Sequence, residues 1–229
     1  MNCTNQAKPL PFSEMANNPQ IASEDYFFHF TASKTDDPNN LPENFVITFT
    51  KDKSILSKYY QMRVDYLGNY TEFVDYKLGE SELDRNSLIV AILNEDSELI
   101  GAARYTPADA LHLSNANQVK YNFTVTDFLR QSGFTDLSKI FEISALLISP
   151  KYHNYNLTKT VFDFCCNFAK SHNYDYLIGF ADKVRCRYYV KVLRGLGFSP
   201  SIINRPCVGG EVYAAFNSLK KNSHDFLKE

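Results

Sequence analysis

Lys139 to Phe162 reads KIFEISALLISPKYHNYNLTKTVF, and its first half is the most apolar run of the chain. A short, unbroken run of this kind is expected where a strand is buried on both faces, which makes Ile140 to Ser149 a central strand. Pro150 closes it, because proline has no amide hydrogen to donate to a ladder. From Leu157 to about Lys170 the period changes: Val161, Phe164, Cys165 and Phe168 fall on one side of a helix. The order is strand, short loop, helix. One carboxylate, Glu142, stands inside the strand between Phe141 and Ile143, where burial would raise its affinity for a proton.

Upstream, Phe45 to Phe49 is β-rich, and Ser54 to about Leu67 carries Ile55, Tyr59, Met62 and Tyr66 at helical spacing. An acidic loop, Gly79 to Asp84, leads into Ser87 to Leu93 and Glu98 to Arg104, two strands joined by four polar residues as a hairpin. Tyr105 to Lys139 reads as an insertion over one face of the sheet, with a short helix from Thr126 to Gln131 capped at Thr126-Asp127. Downstream, Tyr174 to Ala181 is a strand, Arg185 to Leu193 a helix closed by Gly195 and Gly197, and Glu211 to Phe216 a last strand. Residues 1–43 are rich in Asn, Pro, Ser and Asp and read as an irregular arm, broken by the apolar knot Tyr26 to Phe30. The expectation is one α/β domain over 44–229, with 105–139 inserted.

The 229 residues carry 24 basic and 26 acidic side chains, a net charge of −2, so no overall field favours nucleic acid. No segment approaches the roughly 20 apolar residues of a spanning helix. The opening MNCTNQAKPLPFSEM lacks the order of a secretion signal, so a cytoplasmic protein without integral membrane association is expected. Five cysteines, two of them adjacent at 165 and 166 without a C-x-x-C, fit reduced thiols better than disulfides or a metal site. The 15 Tyr and 18 Phe either fill a core or line an acyl tunnel.

The element order, together with ISPKYHNYNLTKTVF from Ile148, resembles the GNAT superfamily of acyltransferases. Its donor motif places a Pro-x-Tyr after a strand and a glycine-rich loop at a helix start. Here Asn154 and Asn156 stand for two of the glycines, His153 for a basic residue or Gln, and Thr158 for the last small residue. Four further matches are similar to the acyl-homoserine lactone synthases and long-chain N-acyl amino acid synthases. They are Arg63 on the first helix, Glu82 and Asp84 before the hairpin, Arg104 in R-Y-T-P at its end, and E-I-S from Glu142 to Ser144, followed by Ala145 where that branch has Arg. These cover about residues 45 to 200.

The resemblance implies a mixed, twisted central sheet flanked by helices, and transfer of an acyl group from a thioester to the amine of a small molecule such as an amino acid. It implies coenzyme A or an acyl carrier protein as donor and no metal. Leu146, Leu147 and Ile148 would lend backbone groups to the pantetheine arm, while Tyr155, Asn156, Leu157 and Thr158 would form the phosphate loop at a helix N-terminus. Asn tolerates positive φ, so the turn should survive. Its pyrophosphate contact would be weaker, which suits the single phosphate of a carrier protein.

Glu142 would be the base, or else a carboxylate paired with Arg63 or Arg104. Those arginines would hold an acceptor carboxylate, or else structural ion pairs. Glu82, Asp84 and Ser144 would meet the acceptor, a cationic one at the two acids, unless the acidic loop is merely solvated. Lys183, Arg185 and Arg187 form a basic cluster that would face a carrier protein, a coenzyme phosphate or only solvent. Tyr188 and Tyr189 either protonate a leaving thiolate or pack on the sheet. An autoinducer synthase-like enzyme, an ordinary N-acetyltransferase and a silent ligand- or protein-binding domain remain the competing functions.

Overall fold

The computed structural model describes residues 28–35, 42–67, 79–114, 124–207 and 210–220. Most of the expected N-terminal arm, including Tyr26 and Phe27 of the apolar knot, and the Asn-rich part of the insertion lie outside them. The strands are β1 (Phe28–Ala32), β2 (Glu43–Phe49), β3 (Leu88–Asn94), β4 (Leu99–Thr106), β5 (Ile140–Ile148), β6 (Tyr176–Ala181), β7 (Ser201–Cys207) and β8 (Gly210–Ser218). The helices are α1 (Lys53–Leu67), α2 (Glu82–Arg85), α3 (Val125–Gln131), α4 (Leu157–Ser171) and α5 (Lys183–Gly195). Two 3₁₀ segments, Ala108–Leu113 and Pro150–Tyr155, follow β4 and β5.

All eight strands form one sheet in the order β1-β2-β3-β4-β5-β6-β8-β7. Every pairing is antiparallel except β5 with β6, which needs the crossover helix α4. The expected mixed sheet is therefore present, and the run Ile140 to Ile148 lies at its centre. The arm is not irregular throughout: Phe28 to Ala32 pairs antiparallel with β2, so this part of it is an edge strand. Phe30 stacks on Phe45 at 5.4 Å, which gives so short a strand an apolar anchor. The edge at β7 tolerates Pro206, as only an outer strand does.

The two faces of the sheet bury different chemistry. On the α4 face, Phe45, Ile47, Val90, Ile92, Tyr105 and Phe141 meet Val161, Cys165 and Phe168. Rings are in close contact, Phe49 to Phe168 at 4.6 Å and Phe141 to Tyr174 at 4.8 Å, and the Tyr105 hydroxyl donates to the Val161 carbonyl at 3.1 Å. On the other face, α3 packs Val125, Phe128 and Leu129 over Ile140 and Ile178, and α1 packs Tyr59 and Tyr60 over Ile89, Ala102 and Leu147. Aromatic residues thus fill the core on both faces. Cys165, Cys166 and Cys186 are free and buried, and burial pushes the Cys166 thiol up to about 12.

α3 begins at Val125, one residue before the expected Thr126, and its cap is Thr124, two residues before it, in a reciprocal box with Asp127. No helix among the described residues is long and apolar enough to cross a membrane.

Candidate active site

β5 carries the site because its two edges behave differently along its length. Opposite β4, Ala102 faces Leu147 and Arg104 faces Ser144, so Ala103 alone is set against Ala145 and Leu146. This is a β-bulge, and Ala145 accommodates it at φ +47°, a left-handed conformation that costs a residue with a Cβ. Opposite β6, the parallel ladder runs from Ile140 and Tyr176 to Glu142 and Ile178 and stops, although both strands continue. Beyond Glu142 and Ile178 the two strands no longer pair, which leaves a gap in the ladder between β5 and β6. Ala145, Leu146 and Ile148 along it are half-buried.

At the start of that gap, on the α1 face, lies a buried cluster of charge. Asp84 sits in the first turn of α2, held in a capping box with Ser81, whose amide and hydroxyl donate to Oδ2 at 2.9 and 2.8 Å. Arg63 donates through Nη1 to both Asp84 oxygens at 3.0 and 2.8 Å and through Nη2 to the Gly79 carbonyl at 2.7 Å. Its guanidinium lies 5.3 and 5.1 Å from the rings of Tyr59 and Tyr60. Arg104 donates to Asp84 Oδ1 at 3.1 Å and through Nε to Ser144 Oγ at 3.2 Å. Burial alone would push the Asp84 carboxyl up, but the charges of Arg104 and Arg63 and the hydrogen bonds outweigh it and hold it below the usual carboxylate range. Two guanidiniums thus share one carboxylate.

Glu142 lies across the ladder from Thr106 and is buried. Ser114 donates to its Oε1 at 3.0 Å, while Oε2 has no hydrogen-bond partner among the described residues. Burial raises its pKa, and the charge of Arg104 with the hydroxyls of Ser114 and Thr106 only partly oppose that rise. Thr106 is in turn within 3.2 Å of the Ser87 hydroxyl. A carboxyl with raised proton affinity and one oxygen without a hydrogen-bond partner is suited to accept a proton.

The structure thus brings together Arg63, Asp84, Arg104, Glu142 and Ser144. It corrects the picture of a solvated acidic loop: Asp84 is buried and is the ion-pair partner shared by both arginines. In place of the alternative in which Glu142 pairs with Arg63 or Arg104, both arginines form their ion pairs with Asp84. Glu82 is exposed and stands outside it. The side chains that complete the site, Ser114, Thr106 and Ser81, went unnoticed in the sequence. For Ser81 the signal was present, since S-E-L-D from Ser81 to Asp84 is a capping-box pattern. Ser114 reaches Glu142 across 28 positions and leaves no local pattern.

At the other end of the gap, Asn156 adopts φ 54° and ψ 25° and opens α4, making the turn expected of a glycine. Asn154 is not among the positive-φ residues; its carbonyl accepts from the Thr35 amide at 2.9 Å. A ring nitrogen of His153 lies 2.9 Å from the Ile148 carbonyl. Of the residues expected to hold the donor, Leu146, Ile148 and Asn156 are accessible. Leu147, Tyr155, Leu157 and Thr158 are buried. Tyr155 packs on Phe45 at 5.5 Å and donates its hydroxyl to Glu43, so its side chain is a packing element. Tyr189 packs on Phe162 at 5.2 Å, whereas Tyr188 is exposed, which corrects the expectation that both rings behave alike. Among the described residues no group of three or more His, Cys, Asp or Glu could hold a metal ion.

A bulged central strand, a parallel partner that splays from it and a helix starting at the split define the GNAT acyl-CoA N-acyltransferase fold, and the chain has that fold. Solved structures agree. The acyl-homoserine lactone synthase LasI superposes with a TM-score of 0.56 at 11% identity, covering 78% of this chain and 91% of that one. The CoA-dependent acyl-homoserine lactone synthase BjaI, solved with MTA, gives 0.53 at 12% identity over 74% and 78%. A candidate acetyltransferase of Acinetobacter baylyi ADP1 gives 0.50 at 19% identity over 79% and 93%. No family model matches the sequence, and no curated protein matches it.

Proposed function

We propose that the protein is an N-acyltransferase that moves an acyl group from a thioester, on coenzyme A or an acyl carrier protein, to the amine of a small molecule such as an amino acid. The observation that carries this is Glu142: a buried carboxyl with one free oxygen, beside a fixed positive group, where β5 and β6 part. The arm of the donor would lie along the accessible edge of Leu146 to Ile148, with its phosphate at the Asn156 turn and the start of α4. The neutral amine attacks the thioester carbonyl and Glu142 takes its proton. The tetrahedral intermediate collapses, the carbon–sulfur bond breaks, and the sulfur leaves as thiolate or, once protonated, as thiol.

Arg63 and Arg104, side by side around Asp84, would hold an acceptor that carries a carboxylate. Ala145 brings no charge to the gap, so this reading stops short of lactone synthesis. A second reading, a silent binding domain, draws on the same cluster: Asp84 already satisfies both arginines without any acceptor.

The test is intact-mass analysis of acyl carrier protein and of coenzyme A thioesters after incubation with the protein, amino acids and S-adenosylmethionine. Deacylation of one donor that requires one acceptor, and is lost in Glu142→Gln, is the expected result. Binding without acceptor-dependent deacylation would leave the silent domain as the answer.

A further inference from the structure

The segment from Pro150 to Asn156, which leads into the turn at the start of α4, has no glycine, and within it Asn156 alone adopts positive φ. What fixes its path comes from β1 and β2. Phe45 receives the rings of Tyr152 and Tyr155 edge-on, at 6.0 and 5.5 Å, and is itself stacked by Phe30 at 5.4 Å. The buried Tyr155 donates its hydroxyl to Glu43, whose ladder partner on β1 is Ala32. Just past Ala32, the Lys34 ammonium lies 5.8 Å from the centre of the Tyr155 ring, and the Thr35 amide donates to the Asn154 carbonyl at 2.9 Å.

Rings packed on Phe45 would bury the segment in more than one way, whereas the two hydrogen bonds are directional and select one path. They act on the residues just before the turn. The Asn154 carbonyl and the Tyr155 amide belong to one planar trans peptide unit, so the bond from Thr35 to that carbonyl also sets the Tyr155 N–H, which points away from β1. The bond from the Tyr155 hydroxyl to Glu43 then holds the residue from its other end, one position before Asn156.

We infer that β1 and the start of β2 form a strap that sets the donor loop, with Tyr155 and Glu43 as positioning residues for the donor phosphate. The inference rests on the donor placement proposed above and names what shapes that turn in a chain without the loop glycines. Neither side chain touches the donor; Tyr155 acts through the peptide units on either side of it. The loop is set before the donor arrives, so the cost of ordering it is not subtracted from donor affinity.

The experiment is calorimetric titration of coenzyme A into the full chain. Tyr155→Phe, which keeps the ring and removes the hydroxyl, should weaken coenzyme A binding by about five- to tenfold, and Glu43→Ala should match it. The double variant should be no weaker than either single change, as two ends of one bond require. Glu43→Gln, which keeps an accepting oxygen, should recover most of the affinity. Asn44→Ala should change nothing, because Asn44, the neighbour of Glu43 on β2, bonds instead to Glu95 at 2.7 Å. In steady state Tyr155→Phe should raise KM for the thioester donor and leave kcat and the KM of the amine in place. A fall in kcat with both KM values unchanged would make the bond merely structural and overturn the proposal. Additive losses in the double variant would overturn it too, as would an absence of coenzyme A binding to the unaltered protein. Coenzyme A binding that follows the expected pattern, without transfer to any amine, would sink the acyltransfer reading and leave the strap. Acceptor-dependent transfer with a donor KM indifferent to Tyr155→Phe would sink only the strap.

Discussion

Phe141 and Glu142 are neighbours on β5, yet they face opposite sides of the sheet and opposite solvents. Phe141 lies among the rings of the α4 face, 5.6 Å from Tyr105 and 5.7 Å from Phe168, where close packing alone satisfies it. Glu142 lies among hydroxyls and guanidiniums, and one of its oxygens has no hydrogen-bond partner among the described residues. Within that polar face the two carboxylates differ again. Asp84 is held below the ordinary range by two arginines, Glu142 above it by burial. On the proposed reading this difference divides the roles: Asp84 is a permanent counter-charge and Glu142 exchanges a proton.

The largest expected effect follows from that division. Glu142→Gln keeps the shape of the side chain and removes the base, so kcat should fall by about 10²- to 10⁴-fold. Stability should move the other way. The folded pKa of Glu142 is raised, so the carboxyl costs the fold little at low pH, and stability is lost as pH rises through the folded value. Thermal melts of Glu142→Gln should therefore match the unaltered protein near pH 4 and exceed it near pH 8. A variant less stable at both pH values would make Glu142 a structural carboxylate and erase its contrast with Asp84.

Asp84→Ala should unfold the polar face. It leaves two buried guanidiniums without their shared partner, at a cost of about 3–5 kcal/mol in urea unfolding. The pH sign is opposite to that of Glu142: with a depressed folded pKa, Asp84 contributes stability above the ordinary carboxylate pKa, lost as pH falls through the folded value. Asp84→Asn should show less of this acid-side loss than the unaltered protein. If Asp84→Ala proved as mild as a surface change, the cluster would be a solvated group and not a buried ion-pair centre. Phe141→Leu probes the other face. It should cost about 1–2 kcal/mol through packing, with little change in kcat, because that face meets no reacting atom.

How much of this was legible in the sequence follows the range of each signal. The run from Ile140 to Ile148 announces a central strand because burial on both faces leaves a composition that few other elements share. The Asn156 turn was legible because a side chain that tolerates positive φ stood where the chain must turn sharply. The ion-pair centre was not. An acidic loop looks alike whether its acid is solvated or swallowed by a capping box, and only the box pattern at Ser81 and Asp84 separates the two. The same pattern at Thr124 and Asp127 would have set the start of α3. The bulge at Ala145 left no trace at all, since the alanine there is held in its left-handed conformation by strand pairings that a sequence does not display.

Ser114 gives the finest division between the two carboxylates. Its hydroxyl donates to Glu142 Oε1 from the end of the 3₁₀ segment after β4, and its carbonyl accepts from the Val125 amide at 2.9 Å, which ties it to α3. A donor to a carboxylate favours the anion, so Ser114→Ala should raise the Glu142 pKa further and move the acidic limb of kcat/KM to higher pH. Hydrogen bonds to charged groups contribute about 1.5–3 kcal/mol, so the rate on that limb should fall by about 10- to 150-fold while the alkaline plateau stays within a few-fold. Ser114→Thr, which keeps the hydroxyl, should restore the limb. A limb that stays in place in Ser114→Ala would mean that the titrating group is not Glu142. A loss of rate uniform over pH, unrelieved by threonine, would mean that Ser114 serves only to anchor α3.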